Sequence, residues 1–506
     1  MSEIVLPVSA DEEIMTQSLP QLLIDRFNRE GVTYCHWKSK SLVGEQDIDL
    51  LVSGDSLACA TSILMQLGFK AAAPRWGSNP LSVIHYYGYD PDQNELIHLH
   101  MFTRVLTGER FLKSHLFPFE EMLLANTYSI DGLAVTSKEA ELVLFVLKTF
   151  VRYGSFLDVV ALLKDDKDVQ EEAQLLKAGS NISQAMILLE KYCPVVGEEF
   201  FIRCLNAIVN GASFAEKWKL SYQMRRRLRI YRKYSFLGWL FGHIELLMGS
   251  VHKKIRKQKG SKVLLSGGAI ISIVGADATG KSTLVSETSR WLRKNFVLKT
   301  IHAGKPPSTI LTVPINVLLG FYRRLKGRSK SKHNKVAVSA SDLNRETEEI
   351  KGFGSLIYAI RAVSLAWDRR ALLLDAKRSV ANGEIVVCDR YPTRAIGMMD
   401  SPRLKMSMSQ KKFIPSLCNK LAKIEQTIYR QIPPPDIVLR LRVSLEVAKQ
   451  RNAARETVDD EIYLQNRHEQ AKEWSMTGIR SLHDIDTDPP LADTIRAVKQ
   501  AIWRSL

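Results

Sequence analysis

Paired cysteines are missing from this chain. Its six cysteines, Cys35, Cys59, Cys193, Cys204, Cys388 and Cys418, are scattered, and no two form a C-x-x-C pair. That argues against a zinc ribbon and against a disulfide framework, and predicts reduced thiols in a cytosol. A secretory signal is also lacking: the opening "MSEIVLPVSADEEIM" is acidic, with no basic start followed by an apolar core. No apolar run reaches the ~20 residues that span a bilayer. The nearest, "FLGWLFGHIELLMGSV", is sixteen residues long, from Phe236 to Val251, and His243 and Glu245 interrupt it. There is no internal repeat, and no nucleic-acid module in which basic and aromatic residues interleave.

What is present is a basic excess in two places. The chain has 506 residues and a net charge of +17. From Arg225 to Lys262 there are twelve Lys or Arg and one acid, and from Arg323 to Lys335 seven and none. These stretches account for the whole excess, so the rest is close to neutral. Both adjoin apolar segments, which suits an amphipathic helix lying on anionic lipid. Peripheral membrane contact through 225–262 and 310–335 is one expectation; a buried helix beside a solvated charge run is the other. Basic stretches also bind nucleic acid without sequence preference, but nothing else supports that partner.

Three parts follow from the pattern of periodicities. Residues 1–135 alternate short strand and helix signals: "DIDLLV" and "ELIHLHMF" read as strands, and "LACATSILMQLGF" as an amphipathic helix closed by Gly68. Residues 136–262 read as mainly helical, with Thr136 and Glu139 at capping-box spacing. Residues 263–506 alternate strands and helices, which predicts an α/β unit with a parallel sheet and helices on both faces.

The strongest signal lies in the third part. "AIISI" is a short apolar run, as a buried parallel strand should be. It leads into Gly275-x-x-x-x-Gly280-Lys281-Ser282, and a helical pattern follows. Strand, glycine loop and helix are the context that supports a phosphate-binding P-loop. Glycines let successive N–H groups turn toward one phosphate, and the helix start adds positive partial charge. Lysine at the position of Lys281 reaches the β- and γ-phosphates, and the Ser282 hydroxyl holds Mg²⁺. Further on, "EIVVC" ends in Asp389-Arg390-Tyr391, with a carboxylate where a P-loop fold keeps its Mg²⁺-associated acid. "PPPDIVLRLRVS" offers another strand. In "LEVAKQRNAARE", Arg451 and Arg455 share a helix face.

With these residues in place, 263–506 resembles the thymidylate kinase family of nucleoside monophosphate kinases. "GADATGKST" matches that family's loop, "AWDRR" and "CDRY" its two Asp-Arg pairs, and "PDIVLRLRVSLEVAKQR" its strand into the lid helix. "DIDTDPPLADTIRAVKQAIW" matches its closing strand, adenine-side loop and last helix. The resemblance implies ATP and Mg²⁺ as cofactors, with Gly275, Asp277, Ala278, Thr279, Gly280, Lys281, Ser282 and Thr283 around the nucleotide. It puts Asp277 and Asp389 near the metal and the transferred phosphoryl. Arg369 and Arg390 face the acceptor's phosphate, and Arg451, Arg455 and Arg467 belong to the lid. The acceptor side departs from the pattern. Where the family has an Arg-Glu-Pro-Gly-Gly-Thr type of loop, this chain reads "TIHAGKPPST", which leaves Lys305 as the candidate acceptor contact. After Asp-Arg-Tyr it reads "PTRAIGMMDSPR".

In the first part, Asp47-x-Asp49 places two carboxylates on one side of a strand, a spacing suited to divalent metal and nucleotide triphosphate. Residues 20–135 resemble the nucleotidyltransferase superfamily through Lys38, Asp47, Asp49 and Gly68-Phe69, and imply an α+β domain. Gly44 is a lone glycine where the superfamily has a Gly-Ser pair. The third acid is expected on a later strand, which offers Glu95 and then His98 and His100 on one face. The histidines suit a transition metal, or they are ordinary strand residues. Active transferase chemistry and a degenerate binding domain both remain open.

The expectation for the whole is therefore a cytoplasmic kinase, with peripheral membrane contact through its basic stretches as one of the two readings of them. Its acceptor is a small phosphorylated molecule, with dTMP the family default. The alternative is a nucleotide-sensing adaptor with negligible turnover.

Overall fold

The structure is a computed structural model. It describes residues 18–37, 47–75, 82–108, 112–153, 156–255, 260–310, 312–315, 317, 353–396, 400–406, 413–453, 461–472 and 474–506. The chain divides into two compact units, Met1–Lys257 and Gln258–Leu506.

The first unit contains strands β1 (Tyr34–His36), β2 (Asp47–Val52), β3 (Lys70–Pro74), β4 (Val83–Asp90), β5 (Glu95–Phe102), β6 (Val105–Thr107), β7 (His115–Phe117), β8 (Thr127–Ile130) and β9 (Leu133–Thr136). In its main sheet the order β3-β4-β5-β2-β1-β9-β8 mixes antiparallel hairpins with the parallel pairs β2–β5 and β1–β9. Alternation sorts the side chains of this sheet. Ile48, Leu50, Ile97, Leu99 and Met101 join Leu23 and Phe27 of helix Leu19–Arg29 and Ile63 of helix Leu57–Gln66 in one buried cluster. The residues between them, Asp47, Asp49, His98 and His100, share the opposite face. Helix Leu57–Gln66 ends as expected, at Gly68 with φ +78°.

After β9 the described residues of this unit are mainly helical, in Lys138–Tyr153, Phe156–Gly179, Ile182–Tyr192, Glu198–Val209, Phe214–Arg227 and Phe236–Ile255. Leu142, Val146 and Phe150 of the first pack with Phe201, Leu205 and Ile208 of the fourth. The cap of the first helix differs from the Thr136–Glu139 box. Thr136 closes strand β9, and Ser137 caps instead, its Oγ accepting from Ala140 N at 3.2 Å. Glu139 reaches away to the backbone N–H of Asn181 at 3.0 Å. A strand that runs one residue farther than the pattern suggests moves the cap by one. Among the described residues, no helix is long and apolar enough to cross a membrane.

The second unit begins with a short strand, β10 (Lys262–Leu264). It then builds a five-stranded sheet from β11 (Ala269–Gly275), β12 (Leu298–His302), β13 (Ile385–Asp389), β14 (Ile437–Arg442) and β15 (Ser481–Asp486). The order is β12-β13-β11-β14-β15, and every neighbouring pair is parallel. All seven residues of β11 are buried, as a central strand covered on both faces requires. Helices Lys281–Arg293, Phe353–Ala381, Phe413–Arg430, Leu445–Ala453, Glu461–Lys472 and Leu491–Ser505 connect or follow the strands. This is the expected α/β architecture with a parallel sheet. Because the strands are parallel, their carboxyl ends share one edge, where open α/β sheets bind ligands.

Candidate functional site

The loop between β11 and helix Lys281–Arg293 lies on that edge. Gly275 is held tightly: a Cβ there would lie 3.0 Å from Leu441 Cβ and 3.1 Å from Thr279 Oγ1. Ala278 and Gly280 adopt left-handed backbone, at φ +65° and +79°. Thr279 Oγ1 donates to Ala276 O at 2.8 Å. Ala278 packs against Ala448 of helix Leu445–Ala453. Lys281 is buried, and its ammonium turns back to donate to Ala276 O, 3.8 Å from Asp277 Oδ1. Ser282 and Thr283 are exposed on the first helical turn, where backbone N–H groups have no intrahelical acceptor.

Strand β13 supplies the next residues. Asp389 pairs in register with Ile273 of β11, so it stands beside the loop's origin. Its Oδ1 is buried with no hydrogen-bond partner among the described residues, and Oδ2 lies 3.8 Å from His302 Nε2. Arg390 follows at φ +66°, its N–H donating to Ile273 O at 3.1 Å. Its guanidinium lies 3.7 Å from Asp277 Oδ1 and 3.7 Å from Asp400 Oδ2, and its side chain is 31% exposed. The edge therefore brings Asp277, Lys281, Asp389 and Arg390 together, with Asp400 behind Arg390.

Arg369, expected to face the acceptor's phosphate, is enclosed by the protein's own groups. It is 1% exposed and fully engaged within the protein. Nε donates to Ala303 O at 2.9 Å, Nη1 to the Tyr429 hydroxyl at 2.6 Å and Nη2 to Asp400 Oδ1 at 2.7 Å. Its neighbour Asp368 accepts from Thr309 N at 2.8 Å and Thr312 Oγ1 at 2.6 Å. The "DRR" stretch thus pins the loop that follows β12. Lys305 is exposed on that loop, next to Gly304. Arg451 extends one Nη to Thr487 O at 2.6 Å, tying its helix to the loop after β15. Arg455 lies outside the described residues, as does the side chain of Arg467.

Four participants were not found by pattern. They are Asp400, Tyr429, His302 and His468. Burial pushes the His468 imidazole below its ordinary range, while a backbone hydrogen bond at Asp277 pulls the other way and Lys281 adds to the depression. Two of them lie in the stretches that depart from the family pattern, His302 in "HAGKPPST" and Asp400 in "PTRAIGMMDSPR".

The first unit holds a second constellation. Register places Asp47 beside His98 and Asp49 beside His100 on β2 and β5, and His85 opposite His100 on β4. His98 Nδ1 is 2.9 Å from Asp47 Oδ1, and His100 Nδ1 is 2.8 Å from Asp49 Oδ1. The His98 bond holds the Asp47 carboxyl below its usual range. His85 Nδ1 is 3.1 Å from His98 Nε2, and Tyr87 stacks on the His98 ring with centroids 4.3 Å apart. His85 was not anticipated. Its signal was the hairpin itself: a turn over "PDQN" pairs Asp90 with Glu95 and so sets 85 against 100. Lys38 and Gly44 lie outside the described residues.

The parallel sheet, the loop after β11 and the helix it leads into give the second unit a P-loop type of α/β architecture. No protein-family model matches the chain. Two curated proteins of Escherichia coli, from strains K12 and O6:H1, are both called uncharacterized ATP-binding protein YghR. Each is 23% identical to this chain over 242 residues, 46% of this chain and 86% of its own length. A solved thymidylate kinase from Candida albicans aligns with 47% of this chain and 90% of its own, at 18% identity and a TM-score of 0.25.

Proposed function

We propose that the second unit transfers the γ-phosphoryl of ATP, with Mg²⁺, to a small acceptor that already carries phosphate. The thymidylate kinase type, with dTMP as acceptor, is the first candidate. The observation that carries this is the convergence of Asp277, Lys281, Asp389 and Arg390 on one edge of the parallel sheet. The E. coli relatives described as ATP-binding proteins agree with the nucleotide part.

The residues fit their parts. The loop N–H groups and helix start cradle phosphate. Lys281 leaves Ala276 O for the β- and γ-phosphates, exchanging a neutral acceptor for an anionic one, which makes a stronger hydrogen bond. Ser282 and Asp389 would hold Mg²⁺, and the buried, unpartnered Oδ1 of Asp389 is the kind of atom a cation satisfies. Bound there, Mg²⁺ would neutralise charge building on the transferring group. Arg390 orients the acceptor's phosphate and is itself aligned by Asp277 and Asp400. Arg369 acts through Asp400 as a positioning residue.

The test is ADP release by the full chain against a panel of nucleoside monophosphates, wild type beside Lys281→Ala. Acceptor-dependent turnover that the substitution reduces by about 10²-fold or more is expected. No turnover with any acceptor in the panel would sink the nucleotide-kinase reading.

A second reading is favoured by one feature. Leu237, Leu240, Phe241, Ile244, Leu247, Met248 and Val251 are all exposed along helix Phe236–Ile255. That spacing forms one apolar stripe between basic flanks, suited to an anionic membrane surface. In this reading ATP binding switches a membrane-associated adaptor. Flotation with phosphatidylserine vesicles tests it, and protein that stays unbound with and without ATP counts against it. The nucleotidyltransferase-like reading of the first unit is a separate proposal. Its test is nucleotidyl transfer lost in Asp49→Asn and kept in Lys281→Ala.

A further inference from the structure

We propose that His85, His98 and His100 form a binding site for one divalent transition-metal ion of the zinc class, oriented by Asp47 and Asp49.

One nitrogen of each imidazole lies within 4.8 Å of the others. Two ligands each about 2.0–2.1 Å from a tetrahedral ion stand roughly 3.3 Å apart; His85 Nδ1 and His98 Nε2 are 3.1 Å apart. Two rings of this site are therefore already at the separation a shared ion requires, and the third closes by a small shift. The carboxylates complete the arrangement. His98 and His100 each direct Nδ1 at an aspartate, which fixes the ring and turns Nε2 the other way. A carboxylate on the far nitrogen is how metal-ligating histidines are held, and it raises their basicity. In this reading the aspartates support the ligands instead of touching the ion, which differs from the direct hold on a divalent metal expected of them.

The donor set selects the ion. Imidazole nitrogens suit Zn²⁺ and its first-row neighbours, whereas Mg²⁺ takes oxygen and keeps its waters. Three protein ligands also leave a coordination position for water or substrate, as in catalytic and not structural zinc sites. All three rings are half-buried, so the site is reachable from solvent. The fold holds it firmly: the four residue pairs that set it, Asp47–His98, Asp49–His100, His85–His100 and Tyr87–His98, are all direct neighbours across strands.

The test uses the full chain without a histidine tag, stripped with chelator and titrated with Co²⁺. Visible ligand-field absorption reports coordination number, and Zn²⁺ competition follows. The wild type is expected to bind one equivalent, with the intense bands of a four- or five-coordinate ion that Zn²⁺ abolishes. His85→Gln and His98→Gln should each lose that equivalent. Asp47→Asn should keep the stoichiometry but weaken affinity about 10–100-fold. Far-UV circular dichroism and apo-protein Tm, unchanged in His85→Gln, keep a folding failure distinct. Absence of a stoichiometric site in the wild type, or a site of equal affinity in folded His85→Gln, overturns the proposal.

Discussion

Replacing Asp400 with asparagine should weaken the second unit far more than the loss of a surface charge would. Asp400 and Arg369 face each other at 2.7 Å, with side chains 7% and 1% exposed. The other Arg369 contacts are neutral: two backbone carbonyls and the Tyr429 hydroxyl. Asparagine keeps the shape and one neutral hydrogen bond but removes the charge that offsets a buried guanidinium. Breaking such a pair from one side costs about 3–5 kcal/mol, because the remaining charge stays desolvated. A retained neutral bond returns about 1 kcal/mol. The expected net loss is about 3 kcal/mol, roughly a hundredfold in the opening equilibrium. Native-state hydrogen exchange of peptides covering β11 and β13 reads this directly and needs no assumption that the two units unfold together. Adding Arg369→Met to Asp400→Asn should recover part of the loss, since it removes the orphaned charge. A loss under about 1 kcal/mol, the size of an exposed pair, would refute the view that these side chains form a buried, mutually dependent pair.

Gly304→Ala probes the same region without touching a charge. A Cβ there would lie 2.9 Å from His302 Cε1, 3.2 Å from Arg390 Cδ and 3.4 Å from Asp400 Oδ1. These are side-chain atoms that can move, so stability should change by about 1 kcal/mol or less. Turnover should fall about tenfold or more as the Arg390 head shifts, with the ATP KM unchanged; steady-state kinetics separates the two. In the first unit, burial first, then Arg225 and Arg232, push the His115 imidazole down to about 3. A depressed histidine favours the fold fully above its unfolded value near 6.5, and that contribution is lost as pH falls toward the folded value. Between pH 7.5 and 5 the loss is about 2 kcal/mol. Urea midpoints at the two pH values should differ less in His115→Gln than in wild type; an unchanged difference counts against the assignment.

Much of the second unit was legible because its signals are local. The run from "AIISI" through Gly280 to Ser282 encodes strand, turn and helix in adjacent residues, and Asp389 sits at the end of an apolar run. "DIDLLV" and "ELIHLHMF" in the first unit are strands Asp47–Val52 and Glu95–Phe102 for the same reason. What stayed hidden depends on distant pairing. Asp400 follows "PTRAIG", which has no periodicity, and its role arises only when the helix bearing Arg369 and the helix bearing Tyr429 meet it. Arg369 lies in a helix of 29 residues, Phe353–Ala381, and the sequence does not mark which of its charged residues is enclosed. His85 becomes meaningful only once the β4–β5 register is known. The cap at Ser137 shows the same limit on a smaller scale, since the end of β9 decides it.

Arg390 carries a consequence for how this protein can change over time. A side chain in left-handed backbone is less stable there than glycine by about 1–2 kcal/mol. At φ +66° the position bears that cost, held in place by the bond to Ile273 O. Glycine would relax the turn and remove the guanidinium at once. That relief is set against the loss of its pairing with Asp277 and Asp400, and under the proposed function against the loss of the acceptor contact as well. Under the proposed function the position is a tell-tale: in any descendant of this chain, the residue that follows β13 reports whether the edge of the sheet is still in use.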